Sequence, residues 1–202
     1  MYSTLPSLVL AFHGCDRSVF EKVLYEGQDL RPSSNDYDWL GAGVYFWEQN
    51  YERGLSWAHE QAKRGIIEDP AVVGAVIDPG FCLNLTDSRY IDLVETEYRL
   101  MEAEFLVAGI EMPKNEGRTE DRLFRRLDRA VIEHLHSRIA ASAPESDFEP
   151  FDSVRGLFSE GRPVYEGAGF RKKTHVQLCV RNPNCIKGYF APRKYKSGWR
   201  RP

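Results

Sequence analysis

The sequence lacks the features that mark membrane, exported and zinc-binding proteins. It has no apolar run long enough to cross a membrane, and its first residues, MYSTLPSLVLAFHG, carry no basic stretch ahead of their short apolar segment. Its four cysteines include no Cys-x-x-Cys pair and have no histidine at the spacing of a zinc site. We therefore expect a cytoplasmic protein with free thiols and no metal.

Strong net charge and biased composition are also absent. A formal net charge of −3, with 42% hydrophobic and 28% charged residues, is ordinary for a globular protein. The length of 202 residues and the lack of internal repeats predict a single domain over residues 1–202. Charge is nevertheless uneven, because residues 191–202 form a basic C-terminal tail without acidic residues. This tail predicts contact with phosphate or an acidic partner, or else a solvated terminus.

The pattern of apolar residues predicts an α+β fold built on a small, mostly antiparallel sheet. Predicted strands occupy residues 8–12, 41–47, 71–78, 175–181 and 186–190. Predicted helices occupy residues 18–26, 50–64, 90–109 and 120–141. His13-Gly14 is expected to end the first strand, and Ser18 with Glu21 to cap the first helix. Residues 151–170 are rich in glycine and proline, which predicts an irregular loop.

Three short segments carry the side chains best suited to chemistry. The first is AFHG at residues 11–14, where a histidine and a glycine follow a buried strand. The second is GAGVYFWE at residues 41–48, a strand that begins with glycines and contains Tyr45. The third is VQLCV at residues 176–180, a late strand with the polar Gln177 near its start. Each segment alone is also typical of an ordinary core strand.

In this order and spacing, the three segments resemble the NAD-binding core of the poly(ADP-ribose) polymerase and diphtheria-toxin group of ADP-ribosyltransferases. The turn EGQDL at residues 26–30 and the helix GLSWAHEQA at residues 54–62 fit the same pattern. The resemblance covers about the first 65 residues and residues 170–190, and leaves residues 80–170 unmatched. It implies a split antiparallel sheet, with a two-helix insertion at about 90–141, and NAD⁺ as the substrate.

The resemblance also implies roles for individual residues. The backbone of Gly14 would pair with the nicotinamide carboxamide, His13 would bond the adenosine ribose, and Tyr45 would stack on the nicotinamide ring. Gly43 lies in the same motif and is expected at the NAD site. Two further cofactor contacts are placed near the adenine-proximal ribose, although an ordinary turn accounts for them equally well: Ser33 and Asn35.

The third position departs from the family pattern, because Gln177 stands where the family has a glutamate. A neutral amide accepts a hydrogen bond from the ribose 2′-hydroxyl but supplies no negative charge and cannot act as a base. Three alternatives follow: single transfer to an acceptor that is already nucleophilic, a carboxylate supplied instead by Glu166 or Glu160, or NAD⁺ binding without turnover. Processive polymer synthesis is not expected.

Two groups of residues beside these motifs have alternative interpretations. Arg171, Lys172 and Lys173 precede the third segment and are expected to hold pyrophosphate or a nucleic-acid backbone, or simply to be solvated. Trp39 and Trp47 flank the second segment and are interpreted as core or as pocket wall rather than as base-stacking platforms.

The sequence thus predicts a mono-ADP-ribosyltransferase that uses NAD⁺, without a metal, to modify a macromolecule. His13, Tyr45 and Gln177 are the candidate catalytic residues. The acceptor is expected to be RNA or DNA slightly more than protein. By analogy, such a small enzyme would be a bacterial toxin of a toxin–antitoxin or anti-phage system, in which case an antitoxin protein is a further partner. The alternatives are a non-catalytic NAD or ADP-ribose binding module and an NAD glycohydrolase.

Overall fold

A computed structural model of the chain describes residues 8–117, 122–142 and 149–193. The basic tail predicted at 191–202 therefore lies almost entirely outside the described residues.

The described chain contains nine strands and four α-helices. The strands are β1 (Val9–Asp16), β2 (Val44–Glu48), β3 (Pro70–Ile77), β4 (Cys82–Asn84), β5 (Asn115–Glu116), β6 (Phe124–Arg125), β7 (Ser153–Phe158), β8 (His175–Val180) and β9 (Ile186–Phe190). The helices are α1 (Arg17–Tyr25), α2 (Tyr51–Lys63), α3 (Ser88–Ala108) and α4 (Arg126–Ser142).

Seven of these strands form one sheet in the order β4-β7-β8-β2-β1-β3-β9, and β5 pairs with β6 separately. All neighbours in the large sheet are antiparallel except β4 and β7. The predicted α+β class with a mostly antiparallel sheet is confirmed, although the sheet is larger than expected. The helical pair of the predicted insertion, at about 90–141, is present as α3 and α4, with the β5–β6 ribbon between them.

The neighbours of β1 pair with it to very different extents. All eight residues of β1 pair with β3, whereas only Ala11 and Phe12 pair with β2. Beyond Phe12 the two strands diverge, so the edge of β1 at His13 and Gly14 has no strand partner on the β2 side in the described chain. This divergence opens the sheet at its centre.

The core lies on both faces of the sheet. On one face α1 buries Phe20 and Val23 against β1, β2 and β3, in a cluster that includes Ala11 and Phe46. On the opposite face α4 buries Leu135 and its neighbours against β4, β7 and β8. Alternate residues of β2 therefore point to different environments, and Tyr45 faces the α4 side.

Three predictions about the elements were wrong. His13-Gly14 does not end the first strand, because both residues continue to pair with Val73 and Val72 of β3. Helix α1 is capped by Asp16, whose carboxylate accepts from the Ser18 amide at 2.9 Å, and not by Ser18 itself. The segment 151–170, interpreted as a loop, contains strand β7, which pairs along its whole length with β8.

Candidate functional site

A cleft of about 340 Å³ lies over the centre of the sheet, within the range of roughly 300–1,000 Å³ that is usual for small-molecule sites. Its walls come from the ends of β1, β2, β7 and β8, from α2, and from the loop over residues 31–39. Residues expected at the NAD site and found here are His13, Gly14, Ser33, Asn35, Tyr45 and Gln177. The structure thus brings together sequence segments more than a hundred residues apart.

His13 occupies the gap where β1 and β2 diverge. Its Nδ1 lies 2.8 Å from the backbone oxygen of Tyr45. A carbonyl only accepts, so Nδ1 carries the proton and Nε2 of the neutral ring is an acceptor. Burial lowers the pKa of His13, and the Tyr45 bond opposes this only in part. His13 therefore offers a lone pair, and no charge, at neutral pH.

Gly14 is required at its position by packing. A Cβ atom there would lie 2.3 Å from the backbone oxygen of Gly54 in α2 and 3.2 Å from the Trp57 ring. The N–H and C=O of Gly14, by contrast, lie in the plane of the sheet and not in the direction of that Cβ atom. Leu10 O accepts from Gln49 N at 2.9 Å, and strand hydrogen bonding alternates, so Gly14 turns its N–H and C=O toward the open β2 side.

Tyr45 has its ring on the cleft wall and its hydroxyl buried. The hydroxyl donates to Gly41 O at 2.9 Å and accepts from Leu40 N at 3.0 Å. Burial is the main reason that the pKa of Tyr45 is raised. The phenol is thus neutral and fixed, and the ring is available for stacking rather than for proton transfer.

The loop over residues 31–39 is closed around Asp38. Its carboxylate accepts from the Ser33 hydroxyl at 2.6 Å and from the Asn35 amide at 2.7 Å. Ser33 also exchanges two backbone hydrogen bonds with Gly43. Gly43 does not line the cleft; a Cβ there would lie 2.6 Å from the Cys179 sulfur, so this glycine permits close packing on β8.

Gln177 lines the cleft with its amide oriented by Trp39. The indole Nε1 of Trp39 lies 2.6 Å from Oε1 of Gln177. Because the indole only donates, the oxygen must face Trp39, and the NH₂ group remains for the cleft. Gln177 therefore presents donors where the sequence interpretation expected an acceptor. Trp39 and Trp47 both line the cleft, as the pocket-wall interpretation predicted.

A group of charged residues forms the other end of the cleft. Arg53 of α2 is 8% exposed, and its Nη2 lies 2.7 Å from Oε2 of Glu160, which is also 8% exposed. Lys173 Nζ lies 2.8 Å from Glu60 Oε1 and 3.5 Å from Glu160 Oε1. Burial raises the pKa of Glu60, but the Lys173 bond and the Arg53 charge outweigh it, so the net pKa is lowered. We call this group the Arg53–Glu160 end of the cleft; its members are Arg53, Glu60, Glu160, Lys173 and His175.

His175 lies at this end with its ring orientation fixed. Its Nδ1 is 2.6 Å from Lys173 O, so Nδ1 carries the proton and Nε2 is an acceptor. Burial first, and then the Arg53 and Lys173 charges, lower the pKa of His175, which is neutral at pH 7. Four buried nitrogens here have no hydrogen-bond partner in the described ranges: Trp47 Nε1, Arg53 Nε, Arg53 Nη1 and His175 Nε2.

Some predicted site residues lie elsewhere. Of the two alternative carboxylates, Glu160 lines the cleft, whereas Glu166 is exposed and does not. The three basic residues at 171–173 also lie outside the cleft lining. Lys173 nevertheless reaches the cleft carboxylates, Lys172 is exposed, and Arg171 donates to Gly161 O at 3.0 Å.

Sequence reasoning missed the polar residues of α2. Arg53, Glu60, Gln61 and Arg64 all line the cleft, together with Arg31. In the sequence they read as the solvated face of an amphipathic helix. The sequence held one partial signal. Gly54 lets α2 approach β1 closely, and such close packing would also bury the neighbouring Arg53.

Other site types find no counterpart in the described chain. Residues 8–117, 122–142 and 149–193 contain no group of three or more His, Cys, Asp or Glu residues placed to hold a metal ion. In the same ranges no helix is both long and apolar enough to cross a membrane.

Comparison with known proteins shows a distant similarity to an archaeal protein. Over 192 aligned residues the chain is 27% identical to an uncharacterized protein of Methanocaldococcus jannaschii, and the alignment covers 87% of this chain and 83% of that protein. No family model matches the chain, and no solved structure matches it. Since that relative is itself uncharacterized, function has to be inferred from the chemistry of the cleft.

Proposed function

We propose that the protein is a cytoplasmic mono-ADP-ribosyltransferase that takes ADP-ribose from NAD⁺ and transfers it to a macromolecule. One observation carries the proposal: the divergence of β1 from β2 places His13, Gly14 and Tyr45 around one cleft, with Gln177 on its wall. These are the residues that resemble the NAD-binding motifs of the poly(ADP-ribose) polymerase and diphtheria-toxin group.

Each of the three residues offers the group that NAD⁺ requires. The outward N–H and C=O of Gly14 match the acceptor and donor of the nicotinamide carboxamide. The fixed Tyr45 ring provides a face for the nicotinamide, worth about 1 kcal/mol beyond burial for an offset pair. The neutral His13 ring accepts a hydrogen bond from a ribose hydroxyl through Nε2.

The chemistry is cleavage of the bond between nicotinamide and ribose C1′. The electron pair of that bond neutralises the pyridinium as nicotinamide leaves, and the acceptor forms the new bond to C1′. Charge on the ribose resembles that in glycoside hydrolysis, where a nearby carboxylate stabilises the cation. Gln177 donates and cannot supply that charge, so we assign Gln177 to orienting the substrate and Glu160 to the electrostatic role.

The pairing of Glu160 with Arg53 favours an acceptor that needs no strong base. Oε2 of Glu160 already accepts a hydrogen bond from Arg53 at 2.7 Å, and Oε1 lies 3.5 Å from Lys173 Nζ, so both oxygens are engaged and neither is placed to bond an acceptor's proton. Nucleophiles such as a nucleobase ring nitrogen that carries no hydrogen attack through their lone pair without prior deprotonation. Ionised protein carboxylates and thiolates meet the same condition, and we favour nucleic acid over protein because the basic residues 171–173 adjoin this end of the cleft. By analogy alone, the biological setting would be a toxin–antitoxin or anti-phage toxin, with an antitoxin as partner.

One observation favours a second candidate, a module that binds NAD or ADP-ribose without turnover. All three carboxylates that line the cleft are engaged within the described chain: Asp38 by Ser33, Glu60 by Lys173 and Glu160 by Arg53. If these pairs persist with NAD⁺ bound, no free negative charge faces the ribose.

Nicotinamide release separates these functions. The protein is incubated with adenine-labelled NAD⁺ and a cell lysate, and both free nicotinamide and label on macromolecules are measured. A transferase gives both products, a glycohydrolase gives nicotinamide alone, and a binding module gives neither. Tyr45→Ala should reduce release at least about a hundredfold, whereas Tyr25→Ala, an exposed tyrosine on α1, should not.

The carboxylate assignment has its own test. Glu160→Gln should lower the rate of nicotinamide release by about a hundredfold, since removing one electrostatic group costs roughly 10²–10³ in rate. Gln177→Ala should cost about tenfold. Glu166→Gln, outside the cleft, is the matched control and should behave as wild type. An unchanged rate for Glu160→Gln with a large loss for Gln177→Ala would return the third role to Gln177.

A further inference from the structure

Residues 161–172, which we call the basic loop, begin and end at the Arg53–Glu160 end of the cleft. The Lys173 amide donates to Glu160 O at 2.9 Å, the Lys172 amide to Arg162 O at 3.0 Å, and the Val164 amide to Phe170 O at 3.0 Å. A bridge between Pro163 and Arg171 continues this ladder. The loop is thus a hairpin-like projection with defined geometry, rooted on Glu160, which lines the cleft, and on Lys173, which bonds the cleft carboxylates.

The basic loop exposes two aromatic rings beside several cations. Tyr165 is 62% exposed and Phe170 is 71% exposed. The loop contains Arg162, Arg171 and Lys172 but only one acidic residue, Glu166. Exposed apolar side chains scattered singly are ordinary, whereas two rings on one short projection are typical of a contact surface.

This combination fits single-stranded nucleic acid better than a protein partner. Aromatic rings stack on unpaired bases of any sequence, and neighbouring cations neutralise the phosphate backbone. An acidic protein surface would match the cations but would not need two exposed rings on the same short projection. A duplex would keep its bases stacked and unavailable to the rings.

We propose that the basic loop binds single-stranded RNA or DNA and brings an unpaired base to the Arg53–Glu160 end of the cleft. Stacking on Tyr165 and Phe170 holds neighbouring bases, while Arg162 and Lys172 contact phosphates. Because Lys173 at the root of the loop bonds Glu60 and Glu160, the bound strand lies next to the cleft carboxylates. The role as acceptor site rests on the proposed transferase function; the binding itself does not.

Fluorescence anisotropy with a labelled single strand tests the binding. The probes are DNA and RNA of one mixed sequence, about 12 nucleotides long, which is within the usual site size. Wild type should bind both single strands more tightly than the matched duplex. Tyr165→Ala with Phe170→Ala should weaken binding at least about tenfold, since each stacked base contributes appreciably. Tyr25→Ala is the matched control, because Tyr25 is 75% exposed on α1.

The salt dependence tests the cations separately. Removing two phosphate contacts from a single strand should reduce the slope of log affinity against log salt by about 1.4. Arg162→Ala with Lys172→Ala should show this reduction, and Lys22→Ala, an exposed lysine of α1, should not. All variants replace exposed side chains, and their circular dichroism and melting temperature should match wild type.

The outcomes distinguish the two proposals. Equal affinity for duplex and single strand, or unchanged binding by the aromatic variant, would overturn the binding assignment of the loop. Label released from the lysate by protease but not nuclease would overturn its role as acceptor site. Nicotinamide release would still support the transferase in those cases. Single-strand binding that depends on the loop, without nicotinamide release, would support the binding surface and overturn the transferase.

Discussion

The two ends of the cleft satisfy their polar groups in different ways. At the His13–Tyr45 end, formed by His13, Gly14, Tyr45 and Gln177, the chain supplies the bonds that orient each side chain. The Tyr45 hydroxyl both donates and accepts a hydrogen bond within the chain, and the Gln177 oxygen accepts one from Trp39. The groups that face the cleft are the fixed Tyr45 ring, the lone pair of His13 and the N–H donors of Gly14 and Gln177. Such an end is preorganised for one ligand.

At the Arg53–Glu160 end, charges are paired but three buried N–H donors and one acceptor nitrogen are left without hydrogen bonds in the part of the chain that the structure describes. Four buried nitrogens of Trp47, Arg53 and His175 have no partner among the described residues. Each such group costs about 1–3 kcal/mol while it stays unpaired. The side chains of the first end are thus oriented by the chain itself, whereas the second end holds buried nitrogens whose hydrogen-bonding capacity is unused in the described chain and available to an incoming group. Under our proposal the first end holds the nicotinamide part of NAD⁺, and the second receives the acceptor beside Glu160.

The largest effect should come from breaking the buried pair of the Arg53–Glu160 end. Arg53→Met leaves the Glu160 carboxylate buried with only the weaker Lys173 contact, and loss of one partner from a buried pair costs about 3 kcal/mol. Urea unfolding measures the free energy of unfolding. Arg162→Met, on the exposed basic loop, is the control. A loss below about 1 kcal/mol for Arg53→Met would mean that Glu160 is adequately solvated without its partner.

A somewhat smaller loss is expected at the His13–Tyr45 end, where a glycine permits close packing. Gly14→Ala places a Cβ atom 2.3 Å from Gly54 O, so α2 must shift away from β1 at a cost of about 2 kcal/mol. Gly188→Ala is the matched control because a Cβ atom there meets nothing within 4 Å. Thermal unfolding of both variants gives the comparison. Equal stability of the two would contradict the packing argument.

Removing the Tyr45 hydroxyl should have a moderate effect on stability and little on stacking. Tyr45→Phe leaves Leu40 N without its acceptor and Gly41 O with only the Cys179 thiol at 3.6 Å, which should lower the free energy of unfolding by about 1.5 kcal/mol. The ring remains, so affinity for NAD⁺ should change less than twofold. Tyr165→Phe, with an exposed hydroxyl, should change neither quantity. A large loss of NAD⁺ affinity in Tyr45→Phe would assign the hydroxyl to the ligand.

The smallest effect is a pH dependence of the His13–Tyr45 end. The pKa of His13 is lowered from 6.5 by burial, so above pH 6.5 the ring is neutral in both folded and unfolded chains. As pH falls below 6.5 the unfolded state binds the proton first, and stability decreases. Wild type should therefore lose stability between pH 6.5 and pH 5 faster than His13→Gln. Parallel stability curves from chemical unfolding would show that His13 titrates normally.

Much of the fold could be predicted because local patterns agreed with tertiary packing. Strand β3 was predicted to within one residue at each end, and β9 was predicted with its exact bounds. The helix predicted at 50–64 is α2, and its first predicted residue, Asn50, is the N-cap. Strand β7 was missed because glycine interrupts it. Gly156 is there because a Cβ atom would lie 2.5 Å from Cη2 of Trp39, a contact between segments far apart in sequence.

Site residues could be predicted from the sequence only where they lie in a recognisable local motif. His13 and Tyr45 lie in compact motifs, and each lines the cleft. The orientation of the Gln177 amide depends on Trp39, 138 residues away, so no local pattern indicates which atoms face the ligand. Arg53 is buried by Glu160, 107 residues away, and without that partner it resembles any solvated helical arginine.

Calorimetric titration of NAD⁺ into wild type, His13→Ala and His136→Ala tests the central claim most directly. His136 is the matched control because its Nδ1 also bonds a backbone oxygen, Ile132 O at 2.7 Å, yet it lies outside the cleft. We predict that wild type and His136→Ala bind one NAD⁺ per chain with equal affinity. His13→Ala should bind about tenfold more weakly, as expected for the loss of one hydrogen bond. No binding by wild type, or equal binding by His13→Ala, would contradict the assignment of this end to NAD⁺.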